Sequence, residues 1–157
     1  MHAIRLSIAA ILLVAGLVVS NGALASSLAI RLDDTMGNII TIIDNGAGDT
    51  SGIVGVVSWN GALGAGAWGV NVTTGIGTDI LGPGKIDLNS VNVTSTSGGT
   101  LQIDMSQTDV TSIYDEAIVS VRSDIGGVTG GNIQAASYIN SDNVLFSTAG
   151  ATQIMNY

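Results

Sequence analysis

Ala67-Trp68-Gly69-Val70-Asn71-Val72-Thr73 sets a large or β-branched side chain at every second position, with small or polar residues between. Period 2 places Trp68, Val70 and Val72 on one face of an extended strand and leaves Asn71 on the other. An amphipathic helix needs a period of about 3.6 held for several turns. No stretch after the N-terminus provides one; the one helix-like patch, Ser112 to Ala117, is short enough to be a turn.

The same strand-and-turn rhythm continues on both sides. Upstream, Ser27 to Asp33 alternates and stops at Asp34. Asn38 to Ile43 is β-branched and is closed by Asp44-Asn45-Gly46-Ala47-Gly48-Asp49, and Gly52 to Trp59 ends at Asn60-Gly61. Downstream, Lys85 to Thr94 carries Ile86, Leu88, Val91 and Val93, whose spacing predicts a bulge near Asn89-Ser90. Thr100 to Ser106, Ala117 to Val121, Ile133 to Ile139, Asn143 to Ser147 and Thr152 to Met155 complete the set. Short strands at intervals of roughly ten residues predict an all-β fold, a two-layer antiparallel β-sandwich or jelly roll. The 22 glycines fit its tight turns, and the low charge leaves sheet edges exposed to pairing.

The N-terminus reads differently. A weakly basic start to Arg5 precedes the apolar run Ile8 to Val19, and Ala23-Leu24-Ala25 supplies small residues for a cleavage site. Charged start, apolar middle and small-residue exit form a secretory signal, expected as a helix cleaved after Ala25. The run is shorter than the roughly 20 residues of a membrane span. Residues 1–25 are therefore assigned as a signal peptide and 26–157 as a single exported β-sandwich domain, without a membrane span.

Cleavage removes Arg5 but none of the twelve acidic residues, so the exported chain is one unit more negative than the −8 of the whole. Such a surface repels phosphate backbones, which excludes nucleic acid as a partner. There is no Cys, and the single His, His2, lies in the signal. A Cys or Ser–His nucleophile pair and a zinc site of the usual ligands are therefore excluded. The expectation is a protein that is not an enzyme and carries no cofactor, with calcium the one metal its oxygen ligands leave open.

Asp44, Asn45 and Asp49 are the calcium candidates: two carboxylates and an amide oxygen around glycines that let carbonyls turn inward. Asp33 and Asp34 would join them if the two strands between form a hairpin. The competing reading is a plain turn, since Asp-Asn-Gly is a strong turn signal and the spacing is not that of an EF-hand. Asp104, Asp109, Asp115 and Glu116 are the carboxylates a glycosidase would draw on, against their reading as a solvated face. Trp59 and Trp68 are ligand-binding candidates as a sugar-stacking platform. Against this, a chain with two Trp and one Phe needs their bulk inside, and Trp68 shares a face with Val70 and Val72. Asn71-Val72-Thr73 and Asn92-Val93-Thr94 match a glycosylation acceptor but fall within strands.

Several segments in order carry a resemblance: Ile42 to Asp49, Trp68 to Gly75, Ile86 to Val93, Asp124 to Gly131, Ser137 to Asn140 and Asn143 to Phe146. Together they resemble the secreted β-sandwich proteins of Gram-negative bacteria that carry a PEP-CTERM sorting signal and are processed by an exosortase. The resemblance implies export to the cell surface or the extracellular polysaccharide matrix, with polysaccharide or surface proteins as partners. It implies no catalytic residues. The chain departs from the pattern in lacking a terminal Pro-Glu-Pro, an apolar helix and a basic tail before Tyr157. It is accordingly expected to be a truncated product or a released relative. The first of these predicts an open sheet edge and weakly cooperative unfolding.

The function expected is that of a non-catalytic secreted protein with a structural or interaction role. The alternative is a calcium-assisted carbohydrate-binding module.

Overall fold

The computed structural model describes residues 27–82, 84–110 and 130–156. The signal segment, the strand expected at Ala117 to Val121 and the helix-like patch at Ser112 to Ala117 lie outside them. The described residues form eight strands and one short helix: β1 (Leu28–Asp33), β2 (Ile39–Ile43), β3 (Val56–Leu63), β4 (Trp68–Ile76), α1 (Thr78–Leu81), β5 (Asp87–Ser95), β6 (Gln102–Gln107), β7 (Ala136–Ile139) and β8 (Thr152–Asn156). All pairings are antiparallel. The first sheet has the order β2-β1-β6, the second β3-β4-β5, and β7 and β8 form a separate ribbon. The two larger sheets share one apolar core, so the chain folds as the sandwich-like all-β protein its alternation predicts.

In the first sheet, Leu28, Ile30 and Leu32 of β1 and Ile42 of β2 are fully buried, with Ile40, Ile103 and Met105 packed beside them. Their period of 2 sends the intervening residues to the outer face. There Arg31 pairs with Asp104, its guanidinium reaching Asp104 Oδ2 at 2.6 Å from Nη2 and 3.0 Å from Nε. The same guanidinium lies 4.7 Å over the Phe146 ring, and the Phe146 N–H donates to Ser106 Oγ at 3.0 Å. The segment between β7 and β8 is thus fastened to the outer face of the first sheet.

In the second sheet, Val57, Leu63, Val70 and Val72 face the core. Asn60-Gly61, expected to end β3, instead lies within it. A Cβ on Gly61 would sit 2.5 Å from Cζ2 of Trp59, so the glycine makes room for the indole two residues earlier on the same strand. The bulge expected near Asn89-Ser90 is not found there. β4 and β5 keep one register through Val72↔Val91 and Gly75↔Leu88, and the register shift falls between β3 and β4, at Val57/Trp59. Gly75 faces the core, where a Cβ would lie 2.9 Å from Ile30 Cδ1. It lies three residues from Val72, as Leu88 lies three from Val91, so the two strands change face together.

Asn143 to Ser147, expected as a strand, is a turn. Asn143 and Phe146 hold positive φ, at 55° and 59°. Asp142 accepts from the Val144 N–H, the Ser147 N–H donates to the Val144 carbonyl, and the Ser147 hydroxyl donates to Asp142. Local side-chain acceptors here outcompete a ladder. One-turn α1 was not expected; Gln107 holds it, accepting from the Thr78 N–H at 2.9 Å and donating to Thr78 Oγ1 at 2.8 Å.

Candidate functional site

The segment from Asp44 to Ser58 brings the calcium candidates into one hydrogen-bonded loop, and its acceptors are directed at N–H groups. Asp44 Oδ2 accepts from the Gly55 N–H at 2.7 Å, and Oδ1 accepts from Asn45 Nδ2 at 3.0 Å. Asp49 Oδ2 accepts from the Asn45 N–H, and Oδ1 from the N–H groups of both Ser51 and Ser58, each at 2.9 Å. Asn45 itself adopts φ 55°, the left-handed conformation that Asn tolerates in turns. Among the described residues, no group of three or more His, Cys, Asp or Glu is arranged to hold a metal ion.

Asp49 and Thr50 also act on a strand. The Ser58 N–H goes to Asp49 Oδ1, while the Ser58 carbonyl accepts from the Thr50 N–H at 2.9 Å and from Thr50 Oγ1 at 3.1 Å. The loop therefore lies along the outer edge of β3 and satisfies backbone groups that an edge strand otherwise leaves to solvent or to a partner.

β1 and β2 do form a hairpin, but it keeps Asp33 and Asp34 away from this loop. The register Ala29↔Ile43 through Asp33↔Ile39 puts the turn residues at one end and Asp44 beside Leu28 at the other. Asp34 serves its own end. It is 4% exposed; Oδ1 accepts from the N–H groups of Met36 and Asn38 at 2.9 and 3.0 Å, and Oδ2 from Asn38 Nδ2 at 2.6 Å. Burial pushes this carboxyl up, but donation from the Asn38 side chain and from the Met36 and Asn38 backbone outweighs it, and the net effect holds the group below its ordinary value. Gly64, at φ 63°, leaves room for it: a Cβ there would lie 2.6 Å from Asp34 Oδ2.

Trp59 and Trp68 both pack against the core cluster. They form no shared platform and line separate grooves. Trp68 borders one of about 440 Å³ with Asp34, Met36, Asn38 and Thr100. Trp59 borders one of about 240 Å³ with Thr50, Ser58, Asn60 and Asn71. Of the glycosidase candidates, Asp104 is bound to Arg31 and accepts from Gln102 Nε2 at 2.9 Å. Asp109 accepts from Asn143 Nδ2 at 2.7 Å and from Thr108 Oγ1 at 3.2 Å. Asp115 and Glu116 lie outside the described residues.

The pairings that sequence reading missed are all remote in sequence: Arg31 with Asp104 and Phe146, Gln107 with Thr78, and Asp109 with Asn143. Only the alternation of β1, which places Arg31 opposite its apolar neighbours, hinted at any of them.

No helix among the described residues is long and apolar enough to cross a membrane. Comparison with protein-family models, with curated proteins and with solved structures found no match.

Proposed function

We propose that this is a non-catalytic protein exported to the bacterial cell surface or the extracellular polysaccharide matrix, where it acts through its framework and its contacts. The observation that supports this most is how the acidic residues are used. In a sequence with neither His nor Cys beyond residue 2, Asp34, Asp44, Asp49, Asp104 and Asp109 each accept hydrogen bonds that hold turns, a strand edge or a cross-strand pair. A hydrolase needs two carboxylates facing one substrate; these serve five local structural tasks. Export rests on the N-terminal pattern of charged start, apolar run and Ala23-Leu24-Ala25.

Fractionating cells that produce an epitope-tagged chain tests the proposal. The tag is expected in the medium, the envelope or the polysaccharide fraction, on a product shortened by the first 25 residues. Full-length protein retained in the cytoplasm would overturn it.

A second reading, the calcium-assisted carbohydrate module, is favoured by one observation: hydroxyl and amide side chains surround Trp59 in its groove. It predicts a raised melting temperature in calcium over chelator, and retention on a neutral polysaccharide that Trp59→Ala abolishes. An unchanged melting temperature and no retention retire it.

A further inference from the structure

β2 meets its only partner strand among the described residues, β1, through alternate residues. The Asp44 N–H donates to the Leu28 carbonyl and the Asp34 N–H to the Asn38 carbonyl, at 2.9 and 3.2 Å. In the register of this hairpin, those bonds fix the parity. Ile40 and Ile42 turn their backbone groups toward β1. Ile39, Thr41 and Ile43 turn theirs to the open edge, where among the described residues the Ile43 carbonyl alone has a partner, the Gly46 N–H. The side chains of the same three residues are exposed on the outer face, Ile39 at 57% and Ile43 at 46%.

Among the described residues, β2 (Ile39-Ile40-Thr41-Ile42-Ile43) carries none of the charges, prolines or bulges that commonly blunt an edge. The neighbouring edge on β3 is covered at Ser58 by Asp49 and Thr50. Among the described residues, one of these two edges is shielded and the more apolar one is left bare.

We infer that β2 is the self-association surface of this protein, pairing antiparallel with β2 of a second copy about a two-fold axis at Thr41. Parity permits this register. Thr41 opposes Thr41 of the second copy, and Ile39 opposes Ile43, so every outward-turned residue meets another. On the outer face, each Ile39 packs on the other copy's Ile43. On the inner face, half-buried Ile40 meets Ile42, extending the core across the seam.

Charge fits as well. A chain of net charge −8 repels its own copies, but the paired strand Ile39–Ile43 carries no charge. The register sets Asp44 of each copy against Asn38 of the other, an acceptor facing an amide. It also holds the two Asp44 carboxylates about six residues, roughly 20 Å, apart along the strands. The result is a continuous six-stranded sheet, β6-β1-β2 joined to its symmetry mate. This inference is independent of where the protein is delivered.

Sedimentation equilibrium tests it on the chain expressed full length and purified in the form the cell leaves it. The wild type is expected to approach twice the monomer mass as concentration rises. Thr41→Pro and Thr41→Lys should stay monomeric with an unchanged β-sheet circular dichroism spectrum. Thr41 donates nothing to β1, so proline there removes no internal hydrogen bond. Asn92→Lys, on exposed β5, should still dimerise.

Register is read separately, in a protein free of cysteine. Cα atoms of a directly opposed hydrogen-bonded pair lie about 5.5 Å apart, within disulfide reach. Thr41→Cys should therefore oxidise to a covalent dimer. Ile43→Cys, whose mate lies about four residues away, should not. A wild type that stays monomeric, or an association that survives both Thr41 variants, overturns the inference; loss of association in Asn92→Lys alone would assign the seam to β5.

Discussion

β2 and β3 are edge strands of the two sheets that share this core, and each follows its sheet's order to an outer position. They meet solvent in different ways. β3 contains Asn60, Gly61 and a half-buried Trp59, and is covered at Ser58 by a loop whose carboxylate accepts its N–H and whose backbone donates to its carbonyl. β2 is five β-branched residues, pinned at one end by Asp34 and followed at the other by Asp44, with no cover along its length among the described residues. The polar edge is protected and the apolar one is bare. Solubility alone would favour the reverse, since the apolar edge is the one that pairs most readily with another chain. The difference is accounted for if the edge of β2 is used.

The largest effect should come from uncovering β3. Asp49→Ala removes the acceptor for the N–H groups of Asn45, Ser51 and Ser58 together. Hydrogen bonds to a charged group contribute about 1.5–3 kcal/mol each net of solvent; here three share one half-buried carboxylate that water still reaches, so a loss of about 2–3 kcal/mol in total is expected in urea unfolding. The variant should also gain a second route to association through β3, one that Thr41→Lys does not block. If Asp49→Ala unfolds like the wild type and associates no further, the loop is not a cover and the contrast between the edges fails.

A smaller effect is expected at the pinned end of β2, and it depends on pH. The folded carboxyl of Asp34 is held below its ordinary value of 3.8 by its three N–H donors. The folded state therefore prefers the ionised form more than the unfolded chain does. Its contribution is fully present above about pH 5 and is lost as pH falls through the lowered folded value. Asp34→Asn should be less stable than the wild type at pH 7, and the gap should narrow as acid is added toward pH 3. A gap that stays constant across that range would mean that the carboxylate's charge plays no part in holding the turn.

Much of the fold was legible in the sequence, and the reason for the rest is physical. Period 2 in Leu28 to Asp33 and in Trp68 to Val72 is a local property, so strand positions and inward faces followed from it directly. Exposed edges were expected from the low charge and the glycines, but which strand would lie at an edge was not legible. Nor was the role of Asp44 and Asp49. Two carboxylates and glycines have the same composition whatever they bind, and one partner of Asp49, the N–H of Ser58, lies nine residues on. Asp33 and Asp34 were misplaced for a related reason, because a hairpin separates the residues at its turn from those after its second strand. Asn143 to Ser147 failed because apolar Val144, Leu145 and Phe146 gave a strand signal, whereas Asp142 and Ser147, on either side of them, form the turn.

The smallest effect sharpens the comparison most. Thr41→Lys changes an exposed side chain whose backbone N–H and carbonyl face outward, so the stability of the isolated chain should move by no more than about 0.5 kcal/mol. Its effect on assembly should be out of proportion to that, because an opposed pair of lysines at the two-fold axis places like charges side by side. An edge strand that serves only its own fold would lose stability and assembly together, or neither. A strand kept bare for a second copy loses assembly alone, and urea unfolding measured beside sedimentation on the same sample separates the two.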